Sequence, residues 1–394
     1  MALRAVGYLP PGGRFTLLPS STVGALASGS SPICILLLAP GQSIHTIRWA
    51  NGLAQRGLNV HLAALEAFPP GAYDPRVRLH RLPWGRPLGY ALAAGALRRL
   101  VQRIQPDLTN VHYATGYGLL ARHAGCRPMV LSAWGSDIYE FPRASTWHRR
   151  LLQRNLNAAT ALCATSQAMS REMSKLTRGA INITPFGIDE SAFSPASHRN
   201  PDGPIVIGTV KALEHHYGID VLLRTYARTR SLLSTTHPAL AARLQLHIYG
   251  DGSLRAELQA LAATLEITGS TRFMGKIPHD SVPEVLRGFE VYAALSRMDS
   301  FGVAILEASS CGLPVLVSDA DGPAEIVVDG QTGFVVPRED DLAASRRLTE
   351  LLLDPARRQA LGQAGRQRVL ERYTWNLSLD AMLGVYHRAL SKIR

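Results

Sequence analysis

"DSFGVAILEASSCGLPVLVSD", residues 299–319, contains one glutamate in an otherwise apolar or small-residue run. Val303, Ala304, Ile305 and Leu306 precede Glu307, and Ala308, Ser309, Ser310 and Cys311 follow it. The spacing predicts a strand, "VYAAL", turning into a helix. A helix with no polar face is a buried helix. A carboxylate there is costly unless something binds it. Either Glu307 lines a cavity or the segment is not a helix. Ser300 is a candidate N-cap, and Gly302 permits close approach of backbone or ligand. Free N–H groups in a first turn at Ser300, Phe301, Gly302 and Val303 would favour an anion such as a diphosphate.

Glu307 lies about 9 Å along such a helix at 1.5 Å per residue, with its side chain leaning back towards the N-terminus. It would reach a ribose attached to that diphosphate, because a carboxylate accepts hydrogen bonds from two neighbouring hydroxyls. Asp299 stands eight positions earlier, beyond the helix start, where hydroxyls on the far side of the diphosphate would lie. The plainer alternative is that Asp299 complements the helix dipole and Glu307 escapes to solvent.

Outward from this stretch, strand and helix patterns alternate. "PICILLLAP", "NVHLAALE", "PDLTNVHY", "PMVLSAW", "ATALCATS" and "INITPFGID" read as strands with helices between them. The alternation restarts after "SPASHRNPDGP" (Ser194 to Pro204), a polar, proline-broken linker candidate. "PIVIGTV", "LQLHIYG", "TRFMG", "VYAAL" and "LPVLVSD" follow. The expectation is α/β: two doubly wound, Rossmann-like units facing each other across a cleft. The domains would be 31–197 and 198–377. Residues 1–30, interrupted by Pro10, Pro11, Gly12 and Gly13, are expected to form a loose extension rather than a cleaved signal peptide.

The 394 residues carry a net charge of +12. All the excess lies in residues 1–199, with 21 Lys+Arg against 8 Asp+Glu; the remainder has 21 against 22. Such a basic half suits an anionic partner. No helix-turn-helix or aromatic-basic pattern argues for nucleic acid, so an anionic membrane surface or a phosphate-bearing acceptor fits better. No run approaches the ~18 apolar residues of a membrane span. Four scattered cysteines fit a reduced, cytoplasmic setting, on or off the inner face of the membrane.

Asp299 to Glu307 resembles the E-x7-E signature of glycosyltransferase family 4. "CGLPVLVSD", "EIVVDGQTGFVVP", "RVLERYTWN", "ATSQAMSREM", "PFGIDESAF" and "GTVKALEHHYGIDVLL" extend the resemblance over about residues 31–394. It implies a GT-B fold and a retaining, metal-independent transfer of a sugar from a nucleotide-sugar donor to an acceptor hydroxyl, with no cofactor. It implies that Glu307 grips the ribose and that Asp299, one methylene shorter than the family's glutamate, contacts the donor sugar. Lys211 and, five positions on, His216 take the diphosphate positions. Lys276 and Ile277 of "FMGKIP" fall where the backbone meets the base. The closing helix, about 378–394, is a candidate to pack back on the first domain, the acceptor half.

Gly250 and Gly252 of "IYGDGSL" follow a strand and precede a helix, where a backbone approaches a phosphate or forms a tight turn. In the first half, "GQSIHTIRWANGLA" resembles the family's first loop through Gly41, and His45 is a cleft candidate. "LSAWGSDIYEFP" resembles a His-Gly-x-Asp segment, with Trp134 at the histidine position and Gly135 and Asp137 retained. Asp137 is a candidate to orient acceptor or donor sugar, and His112 of "NVHYATGYG" an acceptor contact. Asp319 and Asp321 form a D-x-D that reads as a turn, not a metal site. Rival readings are a nucleotide-sugar epimerase on the same fold, and a non-catalytic sugar-nucleotide-binding partner subunit. The membrane reading rests on Arg98, Arg99, Arg103, Arg149, Arg150 and Arg154, with a saccharide or lipid-linked acceptor as substrate.

Overall fold

Thirteen strands in a computed structural model of residues 32–197 and 202–392 form two wholly parallel sheets. The extension expected at 1–30 lies outside the described residues. The first sheet holds β1 (Cys34–Leu38), β2 (Asn59–Ala64), β3 (Arg78–Arg81), β4 (Leu108–His112), β5 (Met129–Ser132), β6 (Ala161–Ala164) and β7 (Ile181–Ile183) in the order 3-2-1-4-5-6-7. The second holds β8 (Ile205–Val210), β9 (Leu244–Tyr249), β10 (Thr271–Gly275), β11 (Val291–Ala294), β12 (Val315–Ser318) and β13 (Phe334–Val336) in the order 10-9-8-11-12-13. Both orders reverse beside the first strand of their unit, the topological switch point where open α/β sheets bind ligands. Two such units make a GT-B fold.

Continuous apolar runs build the strands because both faces of each sheet are covered. Within β1, Leu36 and Leu38 join one core with Leu97, Leu120 and Leu152, while Ile35 and Leu37 join another with Trp49 and Leu53. That is the two-residue alternation of a strand applied to two dry faces. The second sheet repeats the arrangement, with Ile207 and Leu246 on one side and Val206, Tyr292 and Val315 on the other.

The chain crosses between the units twice, side by side. Ile188 donates its N–H to Tyr373 O at 2.8 Å, and Trp375 donates to Ile188 O at 2.9 Å. The Trp375–Ser391 helix then lies in the first unit's core. Its Tyr386 hydroxyl donates to Asn110 Oδ1 at 3.0 Å, and Trp375 meets Trp49 with ring centroids 4.9 Å apart.

Candidate active site

The strand ends of both sheets bring the candidate residues together. Lys211 follows β8, Gly250 follows β9, Lys276 follows β10 and Asp299 lies beyond β11, while Gly41 follows β1, His112 ends β4 and Trp134 lies just beyond β5. The helix read from residues 299–319 spans Val303–Ser310. Ser300 does not cap it: Gly302 holds that position at φ +97°, and no side chain caps the helix. Only glycine enters that left-handed conformation without strain. Ser300 lies outside the helix, and its carbonyl accepts from Ser166 Oγ of the first domain, at 3.0 Å. Phe301 is buried in the second domain's core, and Val303 is partly buried against the same core.

Glu307 is 5 % exposed, and its Oε1 accepts from Nε2 of His279 at 2.8 Å. Among the described residues Oε2 has no protein donor. A buried carboxylate with one donor has acceptor capacity left for a ligand. Asp299 pairs through Oδ2 with Lys211 Nζ at 2.6 Å, and its Oδ1 accepts the Phe301 N–H. Burial alone would lower the Lys211 pKa; the Asp299 carboxylate, with Tyr292 and Tyr217, outweighs it and holds the ammonium above its usual range. The Lys211 ammonium also lies 4.7 Å from the Tyr217 ring centroid.

His216 sits in the 3₁₀ turn His215–Tyr217, and its carbonyl accepts from Arg297 and Met298 N–H. Gly250 and Gly252 serve close packing: a Cβ on Gly250 would lie 1.9 Å from Lys211 O, and one on Gly252 2.5 Å from Leu213 O. They let the β9 loop press against the segment carrying Lys211. Lys276 is exposed, and Ile277 packs against the second domain's core. Asp319 accepts from Arg338 N–H and Nε, and Asp321 opens the Asp321–Ile326 helix.

The first domain contributes an aromatic wall. Trp134 contacts His45, His112, Tyr113 and Phe186, and Phe186 reaches Phe301 with centroids 5.8 Å apart. His45 stacks on Phe186 at 4.1 Å. Its pKa is lowered to about 4, first by burial and then by Arg48 and His279. His112 is not at an open cleft: it is fully buried, with its pKa lowered to about 3 by burial and then by His45. Asn110 donates its amide to Val130 O and Ser132 Oγ, so its Oδ1 is an acceptor and His112 Nε2 donates to it at 2.7 Å. His112 Nδ1 is then a buried acceptor, unpartnered among the described residues. Asp137 spends its oxygens on the backbone N–H groups of Ala114, Trp134 and Gly135. Burial raises its pKa against those donors. It therefore ties the β4 and β5 loops together instead of facing the cleft. Gly41 is likewise held, donating to Glu66 Oε2 and accepting from the Tyr73 hydroxyl.

Two contributors escaped sequence reading. His279, in "IPHDS", had no spacing that linked it to Glu307, 28 positions away. Glu325, in the "EIVVDG" segment, caps the first domain's Gln167–Ser174 helix, accepting from Gln167 and Ala168 N–H at 2.9 and 3.0 Å.

Two family descriptions match this chain: glycosyl transferase 4-like over residues 34–166, and glycosyl transferases group 1 over residues 190–368. A D-inositol 3-phosphate glycosyltransferase of Stackebrandtia nassauensis is 26 % identical, over 90 % of this chain and 88 % of that protein. A GDP-mannose-dependent alpha-(1-6)-phosphatidylinositol monomannoside mannosyltransferase of Mycolicibacterium smegmatis is 29 % identical, over 79 % of this chain and 84 % of that one. Among solved structures, sucrose-phosphate synthase from Thermosynechococcus elongatus aligns with a TM-score of 0.75 at 19 % identity, over 92 % of this chain and 100 % of the other. The matches run through both sheets and through Lys211, Asp299 and Glu307, and the chain accordingly belongs to the group 1 glycosyl transferases, as a glycosyltransferase of the GT-B fold.

Proposed function

We propose that this glycosyltransferase moves a sugar, with retention, from a nucleoside-diphosphate sugar to a hydroxyl of a phosphate-bearing or lipid-linked acceptor in envelope polysaccharide or glycolipid synthesis. The observation that carries the reading is the buried Glu307 carboxylate, with Oε2 unclaimed, behind an uncapped helix N-terminus flanked by the Lys211–Asp299 pair. A ribose suits the first, and a diphosphate suits the N-terminus and the ammonium. The sugar's anomeric carbon loses its bond to the diphosphate oxygen as the acceptor oxygen bonds on the same face. The acceptor's proton passes to the departing phosphate oxygen. Lys211, the helix N-terminus and His216 stabilise the leaving charge, and Asp299 holds the donor sugar. No step is routed through a metal.

The acceptor class rests on charge and on relatives. The names of the two relatives above specify D-inositol 3-phosphate and a phosphatidylinositol monomannoside. In this chain the six arginines, Arg98, Arg99, Arg103, Arg149, Arg150 and Arg154, are exposed. The helices that carry them, Ala94–Ile104 and Thr146–Ala158, flank Gly116–Ala124 in one layer. Trp84, Leu88, Leu92 and Trp147 are exposed on the same domain. Among the described residues no helix is long and apolar enough to cross a membrane, so the contact proposed is peripheral.

Calorimetric titration with UDP, GDP and ADP in EDTA tests the donor site. One nucleotide is expected to bind at micromolar Kd, with the affinity lost in Glu307→Ala. Absence of binding by all three would overturn the reading. Donor turnover strictly dependent on added acceptor separates transfer from epimerisation.

A further inference from the structure

Glu307 is 28 residues from His279 in sequence, yet His279 is its one hydrogen-bonding side chain among the described residues, Nε2 to Oε1 at 2.8 Å. The imidazole is itself held: it follows β10 in the 3₁₀ turn His279–Ser281 and meets the Phe193 ring edge-on at 5.6 Å. Phe193 is 1 % exposed. The ring is thus wedged between a core aromatic and the carboxylate, with its side chain 31 % exposed against 6 % for Glu307. A carboxylate offers about four acceptor positions. His279 takes one on Oε1, which restrains rotation of the group and leaves Oε2 without a protein donor among the described residues.

We propose that His279 is a positioning residue of the donor site, which fixes the Glu307 carboxylate so that it selects nucleotides bearing both ribose hydroxyls. This rests on the reading of Glu307 as the ribose-binding group. Two hydroxyls donating to a fixed carboxylate bring it from one hydrogen bond to three. A deoxyribose leaves one of these unmade at a buried carboxylate, where an unmade bond is expensive. Without His279 the carboxylate turns, recruits water where the imidazole stood, and tolerates the missing hydroxyl. The cost of losing the hydroxyl and the presence of His279 are therefore coupled.

The test is calorimetric titration of the full chain, its His279→Ala and His279→Gln variants and Glu307→Gln, with UDP, GDP and ADP and their 2′-deoxy forms. The wild-type protein is expected to bind one ribonucleotide about tenfold or more tightly than its deoxy form, the worth of one hydrogen bond to a charged group. In His279→Ala that ratio falls to within about threefold of unity, and the ribonucleotide affinity drops. His279→Gln, whose amide can donate from a similar reach, restores much of the ratio. An equal loss for ribo and deoxy ligands, with the ratio kept, would show a merely structural histidine and overturn the proposal. So would an unchanged ratio and affinity in His279→Ala while Glu307→Gln abolishes discrimination, which leaves the ribose reading standing. If Glu307→Gln also leaves the ratio unchanged, or if no nucleotide binds the wild type, the ribose reading fails and the proposal falls with it.

Discussion

Lys211 and Asp299 show how much a single pair can carry. Their side chains are 9 and 11 % exposed, and each is the other's counter-charge. Removing one partner strands a buried charge, which commonly costs about 3–5 kcal/mol. Lys211→Met is therefore expected to lose roughly 3 kcal/mol in urea unfolding, and transfer activity by 100-fold or more. The double variant Lys211→Met with Asp299→Asn should be more stable than Lys211→Met alone, because no buried charge then stands unpaired. His112 makes a pH prediction. Its folded pKa of about 3 lies below its ordinary 6.5, so below that value the unfolded chain binds the proton first. Its contribution to stability is complete above pH 6.5 and is lost progressively as pH falls towards 3. Unfolding free energies at pH 7.5, 6 and 5 should fall with a slope that this residue takes towards about 1.4 kcal/mol per pH unit. A flat profile would contradict its burial as a neutral ring.

At the scale of elements, the Val303–Ser310 helix and the loops around it depend on glycine at two places. Gly302 turns the chain into the helix at φ +97°, and no side chain caps the first turn. Gly250, at φ +140°, lets the loop after β9 touch the backbone that carries Lys211. Gly250→Ala puts a Cβ 1.9 Å from Lys211 O, which backbone must move to relieve. A loss of about 2 kcal/mol or more is expected in thermal unfolding, with nucleotide affinity falling at least tenfold because Lys211 moves with its segment. Ser300 fits the residue preferences of an N-cap, yet it lies before the helix, where its backbone carbonyl accepts from Ser166 Oγ across the domain boundary. Local preference named the helix correctly and its cap wrongly, because the chain enters the helix two residues later, through the left-handed turn at Gly302.

Over the whole molecule, the two units are joined at Ile188 and Tyr373–Trp375 and meet again through Ser166–Ser300 and Glu325. Glu325 places a carboxylate on the N-terminus of a first-domain helix, an arrangement helped by the helix dipole. Glu325→Ala is expected to raise the radius of gyration of the unliganded protein in small-angle X-ray scattering and to increase donor hydrolysis relative to transfer, since an open cleft admits water. An unchanged scattering curve would assign Glu325 to local capping alone. The charge asymmetry also belongs to this scale. Sedimentation with liposomes should require anionic lipid, weaken as salt rises, and fall when Arg149, Arg150 and Arg154 are changed to glutamine.

Apolar runs of strand length, alternating with helical spacing and restarting midway along the chain, were enough to determine two parallel, doubly wound units. Burial on both faces imposes that pattern on each strand locally. The Glu307 anomaly was legible for the same reason: an acid in an apolar helix needs a partner. Which partner it has was not legible. His279 reaches Glu307 only because the loop after β10 folds back towards the helix after β11, across the two strands, β9 and β8, that separate β10 from β11 in the sheet. Asp137 and His112 sit in segments that look functional, but the fold turns the first onto backbone N–H groups and seals the second beside Trp134. Residue type and spacing determine which elements form and which side chains are costly to bury. Only the packing of distant loops decides which atom satisfies each of them, because hydrogen bonds depend on positions that the order of residues along the chain does not specify.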